Sequence, residues 1–298
     1  MSAVVGVVVS DLDRQWITEL ARLLPECGVT DAAARVGEVE VLVVGNPPGS
    51  ILRSFPRLRF VQSAWAGPDR LMGADADVPV ARMVAPELTE FMSEFVSMAV
   101  LMLHRQAPRY RRAQEARRWE PLRAELARGR RVGLLGYGEL GRPVASRLAE
   151  IGFDVVAWAR SPRHEAIPVV AGAEGFREVL RRSEILVNLL PLTARTRHIL
   201  DRAAFDLMPR GASLVNVGRG AHVVEADLLE ALDDGRLSDA VLDVFEAEPL
   251  PPDHPFWAHP RVTVFPHVAA PSDAADLAPH VAANIRRFLE GETPHFLV

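Results

Sequence analysis

The chain reads as an α/β protein made of two open parallel-sheet domains. Three observations lead there. Short apolar runs alternate with helix-spaced apolar residues along nearly its whole length. A glycine turn, Gly136-Tyr137-Gly138-Glu139-Leu140-Gly141, joins one such run to a helix. The polar residues able to carry chemistry in the second half fall just past the ends of successive apolar runs. In an open parallel sheet those ends share the edge where ligands bind.

Val4 to Val9 is a first strand. Ser10 is placed to cap the helix that follows, with Asp13 three residues on, and Trp16, Ile17, Leu20, Leu23 and Leu24 form its apolar stripe. Cys27, near the end of that helix, is expected to be a small buried residue; as the one cysteine it excludes an intramolecular disulfide. Val39 to Val44 is a strand ended by Gly45-Asn46-Pro47-Pro48. Leu58 to Gln62 is another, followed directly by Ser63-Ala64-Trp65-Ala66-Gly67, whose small residues expose backbone N–H groups to an anion. Glu87 to about Ala107 is a long helix, apolar nearly all round and therefore buried at a domain or subunit junction; Pro108 ends or kinks it. Arg109 to Arg131 is Arg-rich, with Glu115, Glu120 and Glu125 interspersed. No nucleic-acid motif accompanies it, so it reads as a solvated helix face with subunit contacts.

Val132, Leu134 and Leu135 suit a buried parallel strand. After them, Gly136 permits the tight turn, Gly138 lets a pyrophosphate approach the backbone, and Gly141 lets the helix pack closely on the strand. Leu140, Val144, Leu148 and Ile151 have helical spacing, Gly152 ends the helix, and Phe153 to Ala159 is the next strand. This βαβ unit has the length that dinucleotide binding requires, and the helix N-terminus offers partial positive charge to phosphates. The alternation continues: a helix over Phe176 to Arg182, a strand over Ile185 to Leu190, helical residues Phe205 to Met208, and a strand over Ser213 to Val217. Glu225 to Asp233 is a helix with Gly235 as its cap, Asp239 to Val244 and Val262 to Phe265 are strands, and Asp273 to Leu289 is the last helix. The expected division is a Rossmann-type dinucleotide-binding domain over 97–270 and a smaller, flavodoxin-like substrate domain over 1–96 with 271–298.

Composition bounds the chemistry. At 298 residues the chain is long enough for two cores. Its net charge of −5 gives no drive toward nucleic acid or an anionic membrane. All 34 basic residues are Arg, so Schiff-base and lysine-base chemistry is excluded, and any fixed positive charge in a site is an arginine. The apolar run near the N-terminus has no basic flank and meets Asp11 quickly; it reads as a strand rather than a signal peptide. No apolar run reaches the length of a membrane span, so a cytoplasmic location is expected.

Arg219, Asp243, Glu248 and His267 stand just past strand ends, over the cofactor crevice. An Arg, a Glu and a His there match the reduction of a 2-keto acid. Arg holds two carboxylate oxygens at once. His titrates near neutrality and donates a proton to the nascent alkoxide, and a neighbouring carboxylate orients the ring and favours imidazolium. His254 and His259 have no cysteine or carboxylate pair to complete a metal site, so no metal is expected, and the other histidines lack a strand-end position. After the second strand of the βαβ unit, a dinucleotide fold that uses NAD places an acid to hold the ribose 2′-OH. Here Ala159 stands in that place, followed by Arg160, Ser161, Pro162 and Arg163. An acid would repel a 2′-phosphate, whereas two Arg and a Ser bind it, so NADP(H) is expected in preference to NAD(H).

The motifs VNVGRG (215–220), LDVFEAEPLP (242–251) and FPHVAA (265–270), behind GYGELG (136–141), closely resemble the D-isomer-specific 2-hydroxyacid dehydrogenase family. The resemblance runs from about Phe60 to Phe288. It is strongest with the glyoxylate/hydroxypyruvate reductase branch, through QSAWAGPDRL, HRQAPRYRRAQEARRWEP and PLPPDHPFWAHPRVTVFPH. It implies Arg219 as the substrate-binding and polarising arginine, His267 as acid/base and Glu248 as its partner. It further implies substrate contacts from Trp65 and from the backbone of Ala66 and Gly67. Gly136, Gly138, Glu139, Leu140, Gly141, Leu190, Pro191, Thr196, Val217 and Gly218 would line the cofactor, with Asp243 on the nicotinamide side. Family dimers pack through the long helix and the arm after it, which implies a homodimer and places Trp119 either in the interface or in the partner's active site. Asn46-Pro47-Pro48 departs from the Trp-His-Pro-Pro common in that branch. The small 2-keto acids glyoxylate and hydroxypyruvate are the implied substrates. The alternatives are a bulkier 2-keto acid, or a non-enzymatic protein that senses dinucleotides, as corepressors on this fold do.

Overall fold

The computed structural model describes residues 3–9, 13–71, 78–163 and 165–298. These fall into two compact units, Met1–Leu88 with Ser272–Val298, and Thr89–Pro271. The expected cap at Ser10 lies outside the described residues.

The first unit is a five-stranded sheet of β1 (Val4–Val8), β2 (Gly28–Asp31), β3 (Val41–Val44), β4 (Phe60–Ser63) and β5 (Val80–Ala81), with α1 (Asp13–Leu23) between β1 and β2. The order is β2-β1-β3-β4-β5 with every pair parallel, the flavodoxin-like arrangement. β3 and β4 are buried throughout: β3 is wholly apolar, and in β4 the polar Gln62 and Ser63 are buried with hydrogen-bond partners. β2 was not legible in sequence: GVTD is four residues of only partial burial. Finding it moves Cys27. The helix stops at Leu23, and Cys27 stands half-buried in the turn before β2, its thiol pushed up chiefly by burial.

In the second unit, α2 (Pro86–His104) is followed by α3 (Ala107–Glu115). The break comes earlier than expected from Pro108. Gln106 adopts φ 58°, a left-handed conformation that stops α2. Pro108 then sits in the first turn of α3, where a missing N–H costs nothing. The arginines that follow are used in ion pairs, Arg109 with Glu120 and Arg112 with Asp239, both at 2.8 Å or closer.

Next come β6 (Arg131–Leu135), α4 (Gly141–Ile151), β7 (Asp154–Ala159), β8 (Val169–Ala171), α5 (Gly172–Arg182), β9 (Ile185–Asn188), α6 (Arg202–Leu207), β10 (Ala212–Asn216), α7 (Glu225–Asp233), β11 (Leu237–Leu242) and β12 (Val262–Val264). All seven strands pair in parallel, in the order β12-β11-β10-β9-β6-β7-β8. This is the doubly wound Rossmann pattern, with its switch point between β6 and β9. One core layer joins α2 and α4 to β6, β7 and β9; another joins α5, α6 and α7 to the opposite face.

The last helix, α8 (Ala274–Leu289), belongs to the first unit. Phe288 stacks on Phe60 of β4 at 4.8 Å, and the buried Asn284 amide donates to Gln62 Oε1 at 2.6 Å. Among the described residues, no helix is long and apolar enough to cross a membrane.

Candidate active site

The carboxyl ends of β6, β7, β9, β10, β11 and β12 carry nearly every candidate residue of the second unit, because parallel strands end on one edge. At the end of β6 the three glycines have separate reasons. Gly136 has φ 106°, and a Cβ there would lie 2.9 Å from Leu189 O, across the switch point. A Cβ on Gly141 would lie 2.1 Å from Gly136 O, so only glycine lets α4 start this close to the strand. A Cβ on Gly138 would meet nothing within 4 Å. Its face is open, which is what a pyrophosphate approaching the backbone needs. No side chain caps the N-terminus of α4, where Glu139 and Leu140 lead in. The turn therefore fits a dinucleotide.

Arg160, Ser161 and Arg163 are exposed in the loop after β7, and Ala159 is buried where an acid would stand. That loop is tied to the glycine turn: Tyr137 Oη donates to Glu165 Oε2 at 2.9 Å, and Arg142 pairs with Glu165 at 3.4 Å. Past β9, Leu190 is buried, and Thr196 closes the loop by donating to Pro191 O at 2.8 Å and accepting from Thr193 N–H at 2.8 Å.

Past β10, Val217 and Gly218 are buried and lead into Arg219. The backbone there is held by a buried polar cluster. Asn216 Oδ1 accepts from Gly218 N–H at 3.3 Å, and Asn216 Nδ2 donates to Arg219 O at 3.1 Å. His222 Nδ1 accepts from Arg219 N–H at 3.1 Å. The Arg219 guanidinium donates to Gly218 O at 2.7 Å.

Past β11 and β12 a histidine–glutamate pair assembles. His267 Nδ1 lies 2.8 Å from Glu248 Oε2, and Glu248 Oε1 accepts from Phe245 N–H at 2.9 Å. Burial acts to raise the Glu248 pKa. The hydrogen bonds from His267 and from Phe245 N–H, with the charges of His267 and Arg219, outweigh it and hold the carboxyl below its ordinary value. Asp243 is 1 % exposed, and both its oxygens are engaged by one turn: Val268 N–H at 2.7 Å and Ala269 N–H at 3.0 Å. Its carbonyl accepts from His267 N–H at 2.9 Å. Burial pushes the Asp243 carboxyl up, opposed by the same two N–H groups. His267 itself stands at φ 56°, an uncommon conformation for a side chain other than glycine. Asp243 is thus the clamp that holds the His267 turn.

In the first unit, Trp65, Ala66 and Gly67 follow β4. Ser63 Oγ accepts from Trp65 N–H at 3.0 Å, and the Trp65 indole covers Gly45, where a Cβ would lie 3.5 Å from the ring. Asn46 Oδ1 accepts from Arg70 N–H at 3.1 Å. Trp119, on the irregular arm after α3, is 99 % exposed on the single chain.

Residues 97–269 match the family model described as D-isomer specific 2-hydroxyacid dehydrogenase, NAD binding domain. The chain belongs to this family. The glyoxylate/hydroxypyruvate reductase A of Serratia proteamaculans (strain 568) is 38% identical over 295 residues, covering 94% of this chain and 93% of the relative. Among solved structures, a D-isomer specific 2-hydroxyacid dehydrogenase from Xanthobacter autotrophicus Py2, in complex with NADPH and MES, has a TM-score of 0.92 at 38% identity, covering 100% of this chain and 98% of that one. An NADPH-dependent glyoxylate/hydroxypyruvate reductase from Sinorhizobium meliloti, in complex with NADP and sulfate, has a TM-score of 0.92 at 37% identity, covering 99% and 98%.

Within this dehydrogenase fold, several site residues escaped the sequence reading. Asn188, Asn216 and His222 form the buried cluster beneath Arg219. His222, set aside for lacking a strand-end position, lies in the turn after β10 and is fully buried. Its signal was its distance from Arg219, three residues along the same turn rather than at the strand end itself. Glu225 and His254, 3.2 Å apart, also escaped; Glu225 accepts from Glu246 N–H in the loop that carries Glu248. Nothing in the sequence joins residues 225 and 254.

Proposed function

We propose that this dehydrogenase reduces small 2-keto acids, glyoxylate and hydroxypyruvate foremost, to 2-hydroxy acids, with NADPH preferred over NADH. The observation that carries the reading is the Glu248–His267 pair at 2.8 Å with the Arg219 charge acting on the same carboxylate. The glycine turn, Leu190, Pro191, Thr196, Val217 and Gly218 would hold the dinucleotide, and Arg160, Ser161 and Arg163 its 2′-phosphate. When bound, the reduced nicotinamide supplies the hydride.

The chain's own residues do the rest. Arg219 binds the substrate carboxylate and polarises the 2-keto oxygen, a role its planar fork suits. His267 donates a proton from Nε2, the ring nitrogen opposite the Glu248 contact, as negative charge grows on that oxygen. Glu248 fixes the ring by its contact with Nδ1, and Asp243 holds the turn that presents it. Trp65 and the backbone of Ala66 and Gly67 are assigned to the substrate. The cofactor domain is assigned to 97–270 and the substrate domain to 1–96 with 271–298. Support for NADPH comes from Ala159 in the acid's place and from relatives solved with NADPH or NADP.

A homodimer is proposed as the working form. Phe91, Met98, Leu101, Tyr110, Trp119 and Leu126 are all exposed along α2, α3 and the arm, apolar surface that a partner copy would cover. The deciding experiment is a panel of 2-keto acids with NADPH or NADH, followed by cofactor absorbance. Fastest turnover with glyoxylate or hydroxypyruvate and NADPH is expected. Faster turnover of a bulky keto acid overturns the substrate. Tight NADPH binding with no turnover overturns the enzymatic reading in favour of a dinucleotide sensor.

A further inference from the structure

His222 takes no part in the reaction proposed above, yet both of its ring nitrogens are committed. It is fully buried, on a backbone pinned by Leu200 N–H donating to His222 O at 2.9 Å. Nδ1 faces two donors, Arg219 N–H at 3.1 Å and Asn188 Nδ2 at 2.9 Å. Nδ1 is therefore the acceptor. Nε2 carries the proton and donates to Pro191 O at 3.3 Å. Asn188 Nδ2 also donates to Asn216 Oδ1 at 2.8 Å, and Asn216 holds Arg219 O from the other side. The Arg219 backbone is thus gripped at its N–H by His222 and at its carbonyl by Asn216. The fit is close: a Cβ on Gly218 would lie 3.1 Å from His222 Nδ1 and 3.0 Å from Asn188 Nδ2.

We infer that His222 is a positioning residue for substrate: its ring sets the Arg219 backbone, and so the direction in which the guanidinium meets the substrate carboxylate. The inference rests on Arg219 being the substrate-binding arginine. The lever is long. A small rotation at the Arg219 peptide is multiplied along the side chain, and a misplacement of about 1 Å costs on the order of 100-fold in rate. An aliphatic residue at 222 would leave Arg219 N–H and the Asn188 amide facing hydrocarbon, so the turn would shift to find other partners. The site calls for an acceptor on one side and a donor on the other, which a neutral imidazole supplies in one rigid ring.

Three variants test this. In His222→Asn the amide oxygen stands near the place of Nδ1 and keeps the acceptor. In His222→Gln the amide reaches toward Pro191 and the acceptor is lost. In His222→Leu both are lost. With glyoxylate and NADPH, the Gln and Leu variants are expected to raise the keto-acid KM about tenfold or more, with a smaller loss in kcat. NADPH Kd of the Gln variant, by fluorescence titration, should stay within about twofold, and the Asn variant should recover KM to within about threefold. If the Leu variant does not fold, the Asn and Gln pair decides. An unchanged KM in Gln, or an Asn variant as impaired as Gln, overturns the inference. Arg219→Ala measured alongside separates the two readings. If it leaves KM and turnover unchanged, the Arg219 assignment falls and this inference with it. If it loses substrate while His222→Gln does not, only the His222 inference falls.

Discussion

The side chains assigned to the reaction are held in place by other polar groups of the fold. His267 sits in a left-handed turn because Asp243 offers two carboxylate oxygens and a carbonyl to three consecutive N–H groups, those of residues 267 to 269. Glu248 is held by Phe245 N–H as well as by the imidazole. Its carboxyl lies below the ordinary 4.5, so its contribution to stability is complete above the unfolded-state pKa and is lost as pH falls through the lower folded value. Wild type should therefore show a higher urea midpoint than Glu248→Gln near neutrality. The gap should close in acid below about pH 4, where the unfolded chain takes up the proton first. A gap unchanged over that range would contradict a carboxyl whose pKa is lowered by folding. Arg219→Ala should lower kcat/KM for glyoxylate by about 100-fold to 10,000-fold, with NADPH affinity within about twofold. Arg160→Asp should shift the ratio of NADPH to NADH affinity by about tenfold or more toward NADH, because a carboxylate would face the 2′-phosphate. Isothermal titration with both cofactors checks it.

At the scale of elements, the β6–α4 turn separates what glycine does for folding from what it does for binding. Gly141 has no room for a Cβ, since Gly136 O would lie 2.1 Å away, whereas Gly138 faces open space. Gly141→Ala should cost about 1–3 kcal/mol in unfolding free energy through overpacking. Gly138→Ala should leave stability within about 0.5 kcal/mol and weaken NADPH about tenfold or more, because its methyl would occupy the space offered to the pyrophosphate. Denaturant melts with fluorescence titration distinguish the two. The element boundaries follow a related rule. The mostly apolar strands, β6, β9 and β10 among them, were legible from sequence. β2, β5 and β8, of two to four residues, were not. Each of the three lies at an edge of its sheet, held by the ladder of a single neighbour.

At the scale of the whole molecule, the exposed apolar side chains from Phe91 to Leu126, with Trp119 at 99 % exposure, are the surface assigned to the proposed dimer. Light scattering behind a sizing column should give a mass about twice the 32.7 kDa of one chain. Trp119 fluorescence should shift to the blue as the protein is concentrated through its dimer dissociation range. A monomer at every concentration would sink the dimer and leave that surface unexplained.

The sequence by itself determined the alternation that makes two parallel sheets, the dinucleotide turn, and the strand-end positions of Arg219, Glu248 and His267. All of these are written locally, in apolar period, in glycines and in distance from a strand end. Only the tertiary structure decided what surrounds them. It brought Asn188, Asn216 and His222 together under Arg219, set Asp243 against the His267 turn, and paired Glu225 with His254. These partners lie up to 34 residues apart in sequence and share no periodicity. They meet because parallel strands bring their carboxyl ends to one edge, where buried N–H and C=O groups must find partners across the fold.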